Sequence, residues 1–166
     1  MTKIAITGHT SGLGKELAKH FNADGFSRSN GYDINDVSKI VNAVKDYDVF
    51  INNAYNTDKQ YLLCKELWKI WKKDSSKKII NIGSRAKDFI KDEYGFNKNI
   101  LSTFTAHCNF NGCCKVSCIN PGYIEDDRLC ANDIAEIIDF ILDKDYTMEE
   151  VTLFKKYLNL DSGIYD

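Results

Sequence analysis

The chain has 166 residues, enough for one domain with a substantial hydrophobic core. Its 43% hydrophobic and 28% charged residues are ordinary for a folded soluble protein, and a net charge of −2 offers no positive field to nucleic acid or an acidic membrane. No apolar run approaches the roughly 20 residues that span a bilayer. Because Gly8 interrupts the N-terminal apolar stretch too early for a secretory signal, we expect one cytoplasmic domain over residues 1–166 with no nucleic-acid or membrane partner.

Short apolar segments alternate with amphipathic segments along the chain. Strands are predicted at residues 3–7, at a segment ending near 26–29, and at 48–51, 78–82, 116–119 and 151–154. Helices are predicted from Leu13 to Phe21, from a cap at Asp36 to Val44, at 59–73 and 94–108, and from a cap at Asn132 to Leu142. Alternation of this kind favours right-handed βαβ units. The predicted fold is therefore a single-domain α/β fold, a Rossmann-type doubly wound parallel sheet of six or seven strands with helices on both faces.

Ligands of such sheets bind beyond the carboxyl ends of the strands. The segment after the first strand is glycine-rich and opens a helix, so its backbone N–H groups can approach a pyrophosphate. The residues predicted to do so are Gly8, Thr10, Ser11, Gly12, Leu13 and Gly14. A P-loop is disfavoured because His9 occupies its first glycine position and Glu16 the position of its magnesium-binding hydroxyl. A purely structural glycine turn remains the alternative.

The end of the second predicted strand bears on cofactor choice. An NAD site usually places a carboxylate there, but this segment holds Ser27, Arg28 and Ser29 instead. The Arg28 guanidinium can pair with a 2′-phosphate, so we expect NADP(H) to be preferred, with NAD(H) possible. The alternative is that Arg28 is a solvated loop residue.

Tyr94 and Lys98 lie four residues apart on a predicted helix and therefore share one of its faces. A phenol is ordinarily a weak acid with a pKa near ~10, and a neighbouring ammonium favours its phenolate form. Ser84, at the end of the preceding strand, can donate a hydrogen bond to the same substrate oxygen. The three residues together are suited to the proton transfer that accompanies hydride transfer.

Six motifs occur in one order along the chain. They are Thr7-Gly8-x-x-x-Gly12-x-Gly14, Asp33-Ile34, Asn52-Asn53-Ala54, Ile82-Gly83-Ser84, Tyr94-x-x-x-Lys98 and Asn120-Pro121-Gly122. With them the chain resembles the short-chain dehydrogenase/reductase family from Thr7 to about Leu142. The resemblance implies that Tyr94 is the general acid/base, that Lys98 favours its phenolate and holds the nicotinamide ribose, and that Ser84 orients the substrate. It also implies a proton-relay role for Asn56.

The resemblance extends to the cofactor contacts. Asp33 and the Ile34 backbone would lie beside the adenine, and Asn53 and Ala54 beside the adenine ribose. Residues Pro121, Gly122 and Ile124 would line the nicotinamide.

Several segments depart from the family pattern. Tyr55 stands where the family usually has a glycine, and Asp126 where it usually has a threonine. Residues 28–33 leave no room for the usual helix, and only residues 125–131 are left where a substrate-covering loop normally grows. We therefore expect an open, shallow substrate pocket.

Three further features need interpretation. The six cysteines are expected to be free buried thiols, with no metal bound, because the chain has no CxxC pair. The stripe Leu63, Leu67, Trp68, Ile70 and Trp71 is either core or a homodimer surface, and the resemblance favours a homodimer or homotetramer. Arg85 is either a surface residue or a contact for an anionic substrate.

These observations predict an NADP(H)-dependent oxidoreductase. It would catalyse reversible hydride transfer to a small-molecule carbonyl or from an alcohol. The alternative is a dinucleotide-binding sensor or interaction protein with little or no turnover.

Overall fold

Six strands form one parallel sheet in the computed structural model, which describes residues 2–124 and 129–155. The strands are β1 (Ile4–Thr7), β2 (Asp24–Phe26), β3 (Val49–Asn52), β4 (Lys78–Ile82), β5 (Lys115–Pro121) and β6 (Glu150–Leu153). Their order across the sheet is β2-β1-β3-β4-β5-β6, and every neighbouring pair is parallel. The predicted α/β class and strand direction are confirmed.

Five α-helices cover the two faces of the sheet in the described part of the chain. They are α1 (Gly12–His20), α2 (Val37–Val44), α3 (Lys59–Trp71), α4 (Glu93–Asn111) and α5 (Ala131–Asp143). Helices α1 and α5 pack together on one face, where Leu17 and Ile138 share a core with Ile51 of the sheet. Helices α2, α3 and α4 pack side by side on the other, where Leu67 and Leu101 meet Phe50. The predicted doubly wound arrangement is therefore confirmed.

The strand order reverses at β1, which lies between β2 and β3. Such a reversal opens a crevice at the carboxyl edge of a parallel sheet, because the flanking connections leave on opposite faces. Two strand ends are joined there: the Thr7 hydroxyl accepts hydrogen bonds from the backbone N–H groups of Asn53 (3.1 Å) and Ala54 (3.0 Å). The chain between β2 and α2 contains only a 3-10 turn, Arg28–Asn30, so the expected shortening of this segment is confirmed.

The fold corrects one sequence interpretation and decides between the two alternatives of another. The N-cap of α5 is Cys130 rather than Asn132, and the Asp133 carboxylate accepts the Cys130 backbone N–H at 2.6 Å. On α3, Trp68 and Trp71 are buried, with 8% and 2% of their surface exposed, so the tryptophans serve the core and give no support to a homodimer surface. Only Ile70 of that stripe is exposed.

The cysteines are all free, but not all buried. Cys113 and Cys130 are exposed, contrary to expectation, whereas Cys64, Cys108, Cys114 and Cys118 lie in the interior. Burial raises the pKa of Cys114 and of Cys118 to about 12, so these thiols stay protonated at neutral pH. Among the described helices none is both long and apolar enough to cross a membrane.

Candidate functional site

Two adjoining cavities lie along the carboxyl edge of the sheet. The first, of about 720 Å³, extends from the glycine-rich turn to the 3-10 turn after β2. The second, of about 590 Å³, lies between the ends of β4 and β5 and the start of α4. Asn53 and Tyr55 line both, so a ligand that extends from one cavity into the other passes along the Tyr55 ring.

Glycine is required at two positions of the turn that opens α1. Gly8 has a φ of +74°, in the left-handed region. A Cβ on Gly14 would lie 2.2 Å from the Gly8 carbonyl oxygen, so only glycine lets the helix start this close to β1. Ser11, the N-cap of α1, makes no side-chain capping bond, which leaves the first N–H groups of the helix available to an anion.

Predicted cofactor residues line the first cavity from end to end. They are Gly8, Thr10, Ser11, Leu13, Gly14, Arg28, Asp33, Ile34, Asn53 and Ala54. Gly12 is not among the lining residues and instead begins α1 with a φ of +51°. At the far end, Ser27 and Ser29 flank Arg28, and their hydroxyl oxygens lie 2.8 Å apart. This end carries the one guanidinium among the residues that line the first cavity.

Ser84, Tyr94 and Lys98 meet in the second cavity, although Ser84 follows β4 and the other two belong to α4. Lys98 is only 3% exposed, and its Nζ donates to Gln60 Oε1 at 2.7 Å and to the Ile82 carbonyl oxygen at 2.9 Å. The Nζ lies 5.5 Å from the centroid of the Tyr94 ring. Burial lowers the pKa of Lys98 to about 8, so the ammonium is still the main form at neutral pH.

The Ser84 side chain is held at the N-cap of a second 3-10 turn, Arg85–Asp88. Its Oγ accepts the Ala86 backbone N–H at 3.1 Å, and its backbone N–H donates to Asn120 Oδ1 at 3.2 Å. This leaves the Ser84 O–H to donate towards the cavity. The preceding residue must be glycine, because a Cβ on Gly83 would lie 2.1 Å from Asn120 Oδ1.

The remaining predicted residues of the nicotinamide end also line the second cavity. Pro121 ends β5, and Gly122 and Ile124 follow it. Asp126, where the family usually has a threonine, lies outside the described residues.

Asn56 does not join this group. It lines the first cavity, where its Nδ2 donates to Asn35 Oδ1 at 2.9 Å, so its geometry does not support the relay role that the resemblance implied.

Gln60, which the sequence interpretation missed, holds Lys98. It is 2% exposed at the start of α3, and its Nε2 donates to the carbonyl oxygens of Asn52 (2.8 Å) and Ile82 (2.9 Å). The signal was its place in the helical period, because Gln60 lies one turn before the buried Leu63 and two turns before the buried Leu67. A polar side chain on a buried face needs partners, and here they include the candidate catalytic lysine.

Tyr55 stands at the junction of the cavities, against the candidate catalytic pair. Its ring meets the Tyr94 ring edge to face, with centroids 4.9 Å apart. The Lys98 Nζ lies 5.0 Å from the Tyr55 centroid, so the ammonium faces both aromatic rings. The side chain that replaces the family glycine thus becomes part of the wall of the site.

Known proteins share this fold at low sequence identity. No family model and no curated protein matches the chain. Among solved structures, serine dehydrogenase from Escherichia coli aligns with a TM-score of 0.78 at 15% identity, covering 94% of this chain and 100% of that one. A closed form of serine dehydrogenase complexed with NADP+ has a TM-score of 0.74 at 16% identity, covering 95% of this chain and 98% of that one. A 4-hydroxyisoleucine dehydrogenase complexed with NADH and succinate has a TM-score of 0.73 at 17% identity, covering 90% of this chain and 96% of that one. The chain therefore has the fold of short-chain dehydrogenases/reductases, as the sequence resemblance predicted.

Proposed function

We propose that this protein is an NADP(H)-dependent oxidoreductase that transfers a hydride reversibly to a carbonyl compound or from an alcohol. The observation that carries the proposal is the meeting of Ser84, Tyr94 and Lys98 in the cavity that adjoins the glycine-rich turn. A dinucleotide site alone does not need a phenol beside a buried ammonium. The substrate we propose is a small molecule, since the second cavity has a volume of about 590 Å³.

The residues present fit a nicotinamide dinucleotide. The close approach of α1 to β1 at Gly14 and the uncapped start of α1 suit the pyrophosphate, and the first cavity suits the adenosine. When bound, the coenzyme supplies or accepts the hydride. Neighbouring structures hold NADP+ in one case and NADH in another, so the preference for NADP(H) rests on Arg28.

The acid–base work falls to the side chains of the second cavity. In the direction of reduction, Ser84 donates a hydrogen bond to the substrate oxygen and Tyr94 gives it a proton. The ammonium of Lys98 stabilises the phenolate that is left on Tyr94. The attraction is stronger than it would be in water, because Lys98 is buried. Gln60 and the Ile82 carbonyl oxygen hold that ammonium in place.

The sensor remains a second candidate, favoured by Tyr55. Its ring borders the passage between the cavities, where the family usually has a glycine. A panel of aldehydes and ketones tested with NADPH and NADH separates the two functions. Turnover that depends on Tyr94 supports the oxidoreductase, and dinucleotide binding without such turnover supports the sensor. Homo-oligomeric assembly and a cytoplasmic location stay predictions from the sequence.

Replacing Arg28 tests the cofactor preference. Arg28→Ala is expected to lower the ratio of NADPH to NADH affinity by about 10- to 100-fold, because charge-assisted hydrogen bonds contribute about 1.5–3 kcal/mol. The measurement is the dissociation constant of each coenzyme by fluorescence titration. Lys19→Ala, which removes a cation of α1 that does not line the first cavity, is the control. An unchanged ratio in Arg28→Ala would remove the case for NADP(H).

The burial of Lys98 predicts a pH-dependent stability. Its pKa falls from 10.5 to about 8 on folding, so between these values the unfolded chain binds more protons than the folded chain. The free energy of unfolding should therefore rise with pH across this range, by up to about 3 kcal/mol. The measurement is the difference between wild type and Lys98→Met in urea unfolding at several pH values, which cancels the other titrating groups. A difference that stays flat would contradict a buried ammonium.

A further inference from the structure

Three cationic side chains are among the described residues that line the second cavity. Lys98, Arg85 and Lys155 all line it, and none of its described lining residues is acidic. Lys98 is buried and bonded to Gln60 and Ile82, so it belongs to the acid–base site. Arg85 is half-buried and Lys155 exposed, which leaves two cationic groups that the proposed reaction does not use.

The Arg85 guanidinium lies over two aromatic rings. The centre of its guanidinium lies 4.0 Å from the centroid of the Phe154 ring and 5.4 Å from that of Phe89. A guanidinium stacked on rings keeps the N–H groups of its edge free for hydrogen bonds in its own plane, which is the geometry that a carboxylate matches.

The carboxylates near Arg85 form ion pairs with Lys87 instead. Lys87, two positions on, binds Asp88 Oδ1 at 3.3 Å and Glu150 Oε1 at 2.8 Å. Within the described residues, no carboxylate oxygen lies within ion-pairing distance of Arg85. Lys155 has only a long contact, 3.6 Å from its Nζ to Asp133 Oδ2, and both side chains are partly exposed. The Arg85 guanidinium thus contacts two aromatic rings and lacks an anion among these residues.

The rest of the cavity wall is mainly apolar. Its apolar members include Ile82, Ala86, Phe89, Ile90, Pro121 and Phe154. Such a wall suits a ligand with an apolar body, and fixed cations beside it suit an anionic group on that body.

We propose that the substrate is a carbonyl compound or alcohol that carries a carboxylate on an apolar frame. Arg85 binds the carboxylate, Lys155 adds to the positive potential, and Ser84 and Tyr94 bind the oxygen that is reduced. This inference rests on the proposed function for the reaction, but the anion site itself rests on Arg85 and the cavity.

The test compares 4-formylbenzoate with its methyl ester, two aldehydes of similar shape that differ by one charge. With NADPH, kcat/KM should be at least ~10-fold higher for 4-formylbenzoate, and Arg85→Gln should remove that preference, mainly through KM. The methyl ester should change by less than ~2-fold in the same variant. Arg85→Lys keeps the positive charge but loses the planar guanidinium. Its preference for 4-formylbenzoate should lie between those of wild type and Arg85→Gln. Lys91→Gln, which removes an exposed cation that does not line the cavity, should retain the preference.

A binding measurement separates this inference from the proposed function. Benzoate binding, measured by calorimetry, should weaken at least ~10-fold in Arg85→Gln and stay unchanged in Lys91→Gln. Equal turnover of the two aldehydes, or an equal loss for both in Arg85→Gln, would overturn the anionic substrate. If no aldehyde is turned over, the proposed function fails, and benzoate titration then decides alone whether Arg85 forms an anion site. Benzoate affinity that is the same in wild type and Arg85→Gln would overturn that site.

Discussion

Tyr94→Phe is expected to lower kcat for every carbonyl substrate by at least ~100-fold. The variant loses only the hydroxyl that gives a proton to the substrate oxygen, while the ring and its edge-to-face contact with Tyr55 remain. Coenzyme affinity and the free energy of unfolding should therefore change little. The measurements are steady-state rates with NADPH, a coenzyme titration and urea unfolding on the same preparation.

Tyr61→Phe is the matched control, because it removes a hydroxyl from a partly buried tyrosine of α3 that lines neither cavity. It should retain full activity. Turnover in Tyr94→Phe that equals the wild-type rate would contradict the assignment of Tyr94 as the acid/base.

Gly14→Ala is expected to damage both the fold and the dinucleotide site. The added Cβ would lie 2.2 Å from the Gly8 carbonyl oxygen and 2.5 Å from Asn53 Nδ2, and the first of these atoms belongs to the backbone. Because α1 must move away from β1, we expect a loss of about 3 kcal/mol in the free energy of unfolding, at the upper end of the range for overpacking. NADPH affinity should fall by more than ~10-fold, since the movement takes the first N–H groups of the helix away from the pyrophosphate.

Gly12→Ala separates this clash from the general cost of replacing a glycine in the turn. A Cβ on Gly12 would have no atom within 4 Å, so only its φ of +51° is unfavourable. We expect the free energy of unfolding to fall by about 1–2 kcal/mol. NADPH affinity should fall less than in Gly14→Ala. Urea unfolding measures the free energy of unfolding of each variant, and a fluorescence titration measures its NADPH affinity. Equal effects of the two substitutions would show that the close approach at Gly14 is not what shapes the site.

Secondary structure followed from the sequence because its causes are local. Strand β4 matches its predicted range of 78–82, and the Asp36 cap of α2 accepts the Lys39 backbone N–H at 3.1 Å as its position suggested. The cap of α5 was misplaced because Asn132 is a typical N-cap residue, whereas Cys130 is not. There the Asp133 carboxylate, three residues on, satisfies the backbone instead.

The glycine turn and the Tyr94–Lys98 pair of the candidate site could likewise be predicted from local patterns. The glycine spacing after β1 and the interval between Tyr94 and Lys98 each lie within one turn or one helix, so a linear pattern preserves them. Gln60, the partner of Lys98, comes from another helix, and Phe154, the partner of Arg85, comes from the chain beyond β6. No spacing in the sequence connects these pairs.

The sequence by itself determined the alternation of strands and helices, the glycine turn and the pairing of a phenol with an ammonium on one helical face. These depend on backbone preferences and on periods of two and 3.6 residues, which act between near neighbours. Only the tertiary structure decided that Trp68 and Trp71 are core, that Asn56 faces the first cavity, and that Arg85 stacks on Phe154. Burial and contact between distant segments depend on how the helices pack on the sheet, and no local pattern specifies that packing.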